Sequence, residues 1–147
     1  MTSFEVPADL SFNRGKIEDP ALFAKERDAA SWLFLCGDAF AAMDGGMSFE
    51  QVQASVPESV NIVVDPPVVL DMELARQQIE AIDRLPRPTL VTCRTGPRSS
   101  AIIYMYSGLK AGATAEEVLA RADADDAPFA QSDILREYVR QGLEELS

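Results

Sequence analysis

Apolar positions along the chain keep two rhythms that alternate from end to end. Short β-rich runs stand at Trp32-Leu33-Phe34-Leu35-Cys36, Val60-Asn61-Ile62-Val63-Val64 and Thr89-Leu90-Val91-Thr92. They read as strands, and the β-branched run from Val60 to Val64 reads as a central one. Between them lie stretches with helical spacing and helix-start chemistry. Asp19-Pro20 offers a capping aspartate and a first-turn proline to a helix reaching Ala30. Ser48 with Gln51 forms a capping box for a short helix through Ala54, after a turn at Asp44-Gly45-Gly46. Asp65-Pro66-Pro67 ends the middle strand. Asp71 caps a helix whose Leu74, Ala75, Ile79, Ile82 and Leu85 form one apolar stripe, and Pro86 and Pro88 stop it. Ala101-Ile102-Ile103-Tyr104-Met105-Tyr106 is apolar all round and predicts a buried helix. Thr114 with Glu117 supplies another capping box, and Ser132 opens a last helix with Leu135, Val139, Leu143 and Leu146 on one face. Strands alternating with helices predict an α/β sandwich with a mostly parallel sheet.

Length and charge narrow the picture. The 147 residues carry no internal repeat or low-complexity run, so residues 1–147 read as a single domain. No run reaches the roughly 18 apolar residues that span a bilayer. The opening Met1-Thr2-Ser3-Phe4-Glu5 lacks the basic and apolar regions of a secretory signal, and a cytoplasmic location is expected. A formal net charge of −11 argues against nucleic acid and anionic membrane surfaces as partners. Arg84, Arg87, Arg94 and Arg98 are expected to form a positive island suited to a small anion. Asp123, Asp125 and Asp126 read as a solvated turn.

The chain contains no histidine, which removes Cys-His and Ser-His-Asp catalysis. With two cysteines it also makes a structural zinc site implausible, and neither a metal nor a cofactor is expected. Cys36 reads as a core residue of its apolar strand, with a resolving role toward Cys93 as the alternative.

The candidate chemistry is concentrated in Cys93-Arg94-Thr95-Gly96-Pro97-Arg98-Ser99. A strand delivers a cysteine into a tight turn, and a helix starts at once. Backbone N–H groups of such a turn, with the helix dipole behind them, form an anion cradle and favour a thiolate at Cys93. Arg98 can grip an oxyanion through its planar fork. Arg94 and Thr95 contribute mainly backbone N–H groups. Gly96 permits close approach, and Pro97 stiffens the turn while removing one donor. Covalent chemistry on a small tetrahedral anion follows from this order. The plain alternative is a buried cysteine closing a strand, with two arginines on a solvated turn.

The loop resembles those of rhodanese sulfurtransferases and of protein tyrosine and dual-specificity phosphatases. The whole pattern is most similar to the beta-lactamase-hydrolase-like protein phosphatase-like (DUF442) family. There a Cys-Arg-x-Gly-x-Arg-Ser loop precedes a helix and a short Ala/Glu-rich helix, here Cys93 to Ser99, Ala101 to Leu109 and Thr114 to Ala122. The resemblance covers roughly the last two-thirds of the chain. It implies a phosphatase-like fold, with Cys93 as nucleophile and Arg98 binding the transferred group. It also implies that Ser99 hydrogen-bonds the thiolate, a role that competes with simple helix capping. Asp65, before the cysteine strand, stands where similar enzymes carry the acid that protonates the leaving oxygen, and Asp71 is the alternative. Phosphatases of this type normally place five residues between cysteine and arginine; four stand here, the usual rhodanese count. Three readings therefore remain open: a phosphatase working through phosphocysteine on a phosphate monoester, a sulfurtransferase carrying a Cys93 persulfide from a sulfane sulfur donor, and an inactive anion-binding module.

Overall fold

Strand β4 (Thr89–Thr92) is the axis of the molecule: all four of its residues are buried, and a strand lies on either side. The computed structural model describes residues 4–65 and 68–147. In it β1 (Leu10–Phe12), β2 (Ser31–Phe34), β3 (Glu58–Asn61) and β4 form one sheet in the order β1-β4-β2-β3. Every pairing is parallel, with Leu10 and Ser31 both in register with Thr89, and Ser31 with Glu58. The sandwich expected from the alternation is therefore present.

Helices cover both faces, as a parallel sheet requires. One face carries α1 (Pro20–Glu26), α2 (Asp38–Ala41) and α3 (Phe49–Ser55), and there Trp32, Phe34 and Leu90 pack with Phe40, Met47 and Val52. The other carries α4 (Met72–Arg84), α5 (Pro97–Ala111), α6 (Ala115–Ala124) and α7 (Asp133–Glu145). Leu33, Leu35 and Val91 meet Ile82, Ile102, Ile103, Val118 and Val139 on that side. Residues one apart on a strand thus serve opposite layers. Helix α5 is buried from Ser99 to Gly108, the central helix that its all-round apolarity predicts. A 3-10 turn at Pro128–Gln131 sets Phe129 against Tyr104 at a ring distance of 5.3 Å. Among the described residues no helix is long and apolar enough to cross a membrane.

The capping chemistry holds in detail. Asp19, Ser48, Asp71, Thr114 and Ser132 each accept a backbone N–H of their helix's first turn, and both capping boxes close. Asp71 is thereby a helix cap, bonded to Leu74 N at 2.9 Å.

Several expectations need correction. Strand β3 is an edge strand and not a central one, and it lies at Glu58–Asn61, ahead of most of the Val60–Val64 run. Its neighbour on one side only is β2, so its residues are half-buried or exposed and Val63 is 39 % exposed. Helix α1 stops at Glu26, because Asp28 takes a left-handed φ of 51° to turn the chain into β2. Strand β1 has no counterpart among the sequence expectations, since three residues are too few to show a period. The acidic turn is not merely solvated. The Arg121 guanidinium, with help from the Tyr104 hydroxyl, holds the Asp125 carboxyl below the usual carboxylate range. Asp123 pairs with Arg136 at 2.6 Å. Of the turn expected at Asp65-Pro66-Pro67, the two prolines lie outside the described residues.

Phe129 is fully buried beneath α5, and its N–H donates to Ser100 Oγ at 3.1 Å. Phe129→Ala is expected to destabilise the protein by about 3–5 kcal/mol, the usual cost of emptying a well-packed aromatic site. Urea unfolding should show a lower midpoint at unchanged slope; an unchanged midpoint would mean that the 3-10 turn is not part of the core.

Candidate active site

The candidate loop leaves the carboxyl end of β4, where ligands bind in open α/β sheets. Cys93 follows directly, and α5 starts at Pro97, so the thiol faces the amino end of a 15-residue helix. Gly96 makes the turn possible. Its φ is +114°, and a Cβ there would stand 2.1 Å from the carbonyl oxygen of Asn13. Only glycine has both the conformation and the space.

The Cys93 sulfur is ringed by donors. Gly96 N–H reaches Sγ at 3.1 Å and Ser99 N–H at 3.4 Å. Ser99 Oγ lies 3.4 Å from the same sulfur. These donors and the amino end of α5 converge on Sγ. Ser99 Oγ also reaches Asn13 Oδ1 at 3.0 Å and Gly96 O at 3.1 Å. Its single proton thus has three acceptors within reach, and the capping alternative is not realised, because the N-cap of α5 is Gly96, with no side-chain capping bond.

Asn13 is the residue that sequence reasoning missed. It is buried, just past β1, and its side-chain amide is satisfied on both ends. Oδ1 accepts the Cys93 N–H at 3.2 Å, and Nδ2 donates to Cys93 O at 3.0 Å and to Gly15 O at 2.9 Å. The amide continues the β1–β4 ladder with a side chain where the backbone ladder ends. Gly15 N–H then donates to Thr95 O at 2.8 Å, tying the turn after β1 to the loop. The Asn13-Arg14-Gly15 run carries turn chemistry, which was the one readable signal.

The two loop arginines differ in their surroundings. Arg98 Nη1 is buried, with no hydrogen-bond partner among the described residues. A buried donor without an acceptor is costly, and a bound oxyanion would supply one. Arg94 instead pairs with Asp65: Nε stands 3.2 Å from Oδ1, close enough for an ion pair but not aligned as a hydrogen bond. Its guanidinium also lies 5.9 Å from the Phe40 ring centroid. Asp65 is buried, and its other oxygen accepts Gly37 N–H at 2.8 Å. Chain folding therefore brings Asp65 to the loop, through Arg94.

Arg84 and Arg87 do not join them, so the expected four-arginine island is corrected to a pair. Arg87 donates to Ile82 O, Leu85 O and the Tyr106 hydroxyl at the amino end of β4. The strand between is four residues long, about 13 Å at the usual rise. Cys36 is buried in the core as expected. Burial first, and then the nearby Asp65 and Cys93, push its thiol well up, which keeps it uncharged. Among the described residues no cluster of side chains could hold a metal ion.

No protein-family model and no curated protein matches the sequence. Solved structures do resemble it. The active form of Tk-PTP superposes with a TM-score of 0.76 at 16% identity, over 96% of this chain and 95% of that one. The core catalytic domain of the PP-IP phosphatase Siw14 from S. cerevisiae, in complex with citrate, gives 0.66 at 13%, over 99% and 86%. A DUF442 protein from Shewanella putrefaciens CN-32 gives 0.61 at 20%, over 99% and 88%. At such identities the likeness is one of architecture: the chain has the fold of the protein tyrosine and dual-specificity phosphatases.

Proposed function

We propose that residues 1–147 form one phosphatase-like domain, a cysteine-dependent hydrolase acting on a phosphate monoester. The observation that carries this is the pairing of a donor-ringed sulfur with a buried, unpartnered guanidinium nitrogen on the same short loop. A sulfur so placed is a nucleophile, and a guanidinium so placed is a binding group for a tetrahedral anion. In this reading the Cys93 thiolate attacks phosphorus, the bond to the leaving oxygen breaks, and phosphocysteine forms. Water then attacks phosphorus, the S–P bond breaks, and phosphate departs with the water's proton going to solvent. Arg98 grips the equatorial oxygens, where charge gathers in both transition states. The Gly96 and Ser99 N–H groups and the Ser99 hydroxyl receive the sulfur when it leaves as thiolate. Backbone N–H groups of Arg94 and Thr95 complete the cradle. Two free thiols suit a reducing compartment, and we place the protein in the cytoplasm.

A second reading is favoured by the four-residue loop. Pro97 offers no N–H, and the Gly96 and Ser99 amides are already turned to sulfur. A smaller ring suits a sulfane sulfur. Cys93 would attack the outer sulfur of thiosulfate, the S–S bond would break, sulfite would leave with that bond's electron pair, and a Cys93 persulfide would remain.

Acid-quenched intact-mass measurement separates these readings. After exposure to 4-nitrophenyl phosphate, a phosphoryl adduct absent from Cys93→Ser is expected. A sulfur adduct from thiosulfate with no phosphoryl adduct would replace the proposal by sulfur transfer, and neither adduct would leave an anion-binding module. Arg98→Ala is expected to lower kcat/KM by on the order of 10²–10³, the usual loss for a donor to a developing oxyanion.

Asn13 supports the nucleophile without touching substrate. Asn13→Ala leaves the Cys93 amide and carbonyl without their partners, and about 1–3 kcal/mol of stability should go with them. Because the sulfur loses its fixed position, kcat should fall more than KM changes. Thermal unfolding and steady-state kinetics check both points; an Asn13→Ala protein of full stability and full kcat would remove Asn13 from this role.

A further inference from the structure

Among the described residues no strand lies beyond β1, so β1 is an edge of the sheet. Its ladder to β4 uses alternate residues. Thr89 N–H donates to Asp9 O at 2.9 Å, and with Leu10 in register with Thr89 the parallel pattern turns Asp9 and Ser11 toward β4. Leu10 and Phe12 turn their backbone polar groups to the open side. There the Leu10 N–H is taken by Pro7 O at 3.2 Å, while Leu10 O and both groups of Phe12 point outward. A groove of about 540 Å³ runs along this edge, walled by the chain from Leu10 to Ile17, by Phe23 of α1 and by Arg27, the residue that caps α1. Three cations line it, Arg14, Lys16 and Arg27, and no carboxylate does.

Neutral groups hold the two arginines in place. Arg14 donates to the carbonyl oxygens of Asp126 and Asp125 at 2.7 and 3.1 Å, while the Asp125 carboxylate is spent on Arg121. Arg27 lies 3.6 Å over the Phe23 ring centroid and donates to Phe23 O at 3.1 Å. The ion pairs of Lys16 with Asp44 and of Arg27 with Glu26 are loose, both at 3.9 Å. Lys110, Arg121, Arg136 and Arg140, by contrast, have carboxylates at 2.6–3.2 Å. The groove thus holds fixed positive charge that the chain's own carboxylates leave poorly matched.

We infer that this edge takes an extended acidic segment of a partner protein as an added strand, with its carboxylates on Arg14, Lys16 and Arg27. Strand addition supplies backbone hydrogen bonds to Leu10 and Phe12 and presents alternate side chains to the groove walls. The short strand offers only a few outward groups, so charge carries much of the affinity. Charge on an edge also guards against indiscriminate pairing, which is why the partner has to bring the opposite sign. At physiological salt, charges more than about 8 Å apart are largely screened, so the groove rather than the net charge of −11 decides which segment is attracted. The inference is independent of the chemistry at Cys93.

The test is fluorescence anisotropy with a labelled heptapeptide alternating Glu and Val, against the wild-type protein and the double variant Lys16→Glu with Arg27→Glu. Saturable binding to the wild type is expected. The double reversal should weaken it by at least about tenfold, since each exposed pair lost accounts for up to about fivefold. Binding should also weaken as NaCl rises from about 0.15 to 0.5 M. A heptapeptide alternating Glu and Pro carries the same charge but lacks alternate N–H groups, and it should bind at least about tenfold more weakly. Equal binding of these two peptides overturns strand addition. Equal binding to wild type and variant, or no saturable binding up to about 1 mM, overturns the docking site itself. Where thermal unfolding shows the variant to be poorly folded, the wild type still decides: a Lys–Val heptapeptide that binds as tightly as the Glu–Val one overturns the inference. A dimer of the free protein that the double reversal dissolves, seen by sedimentation, means that a second copy covers the edge and overturns the partner reading.

Discussion

The side-chain amide of Asn13 is the constraint on which the site depends. It grips both backbone polar groups of Cys93 and accepts from Ser99 as well. Where β4 ends, the sheet can no longer dictate backbone direction, and a loop cysteine would be free to wander. A buried amide with every donor and acceptor used removes that freedom. The sulfur is then set against the Gly96 and Ser99 N–H groups before any substrate arrives. Preorganised donors of this kind need no reorientation when charge develops, which is why they act more strongly than equivalent groups in water.

The packing around this point follows the same logic. Gly96 exists because the Asn13 backbone passes so close to it, and the Pro128 ring crowds the same side, 3.2 Å from where a Cβ would stand. The turn after β1, the loop after β4 and the 3-10 turn before α7 therefore meet at one residue. Helix α5 is fixed beneath them by burial from Ser99 to Gly108, so its amino end cannot drift from the sulfur. Stability and site geometry are built from the same contacts.

Electrostatics adds a second layer. A chain of net charge −11 repels anions at long range, so any affinity has to come from short-range donors. The loop supplies two arginines and disposes of them differently. One is matched by a buried carboxylate and set over Phe40, and the other keeps a buried nitrogen unpaired. Charge pairing thus separates residues that look equivalent four positions apart in sequence. The capping of α4 by Asp71 shows the converse, a carboxylate used entirely for local structure.

The sequence by itself determined the alternation of elements, the helix starts and the candidate loop. Each of these depends on neighbours within a few residues: a proline after an aspartate, a serine three before a glutamine, a β-branched strand running into Cys93-Arg94-Thr95-Gly96-Pro97-Arg98. The likeness of the loop and following helices to phosphatases foretold the fold that the solved structures share. Only the tertiary structure decided sheet order, which made the Val60–Val64 region an edge and inserted β1 beside β4. It alone brought Asn13 to Cys93 across 80 positions, placed Asp65 on Arg94, and sent Arg87 to the far end of the sheet. The physical reason is the same in each case. A hydrogen bond or ion pair between distant residues leaves no period or spacing in the chain, because its geometry exists only after the layers have packed.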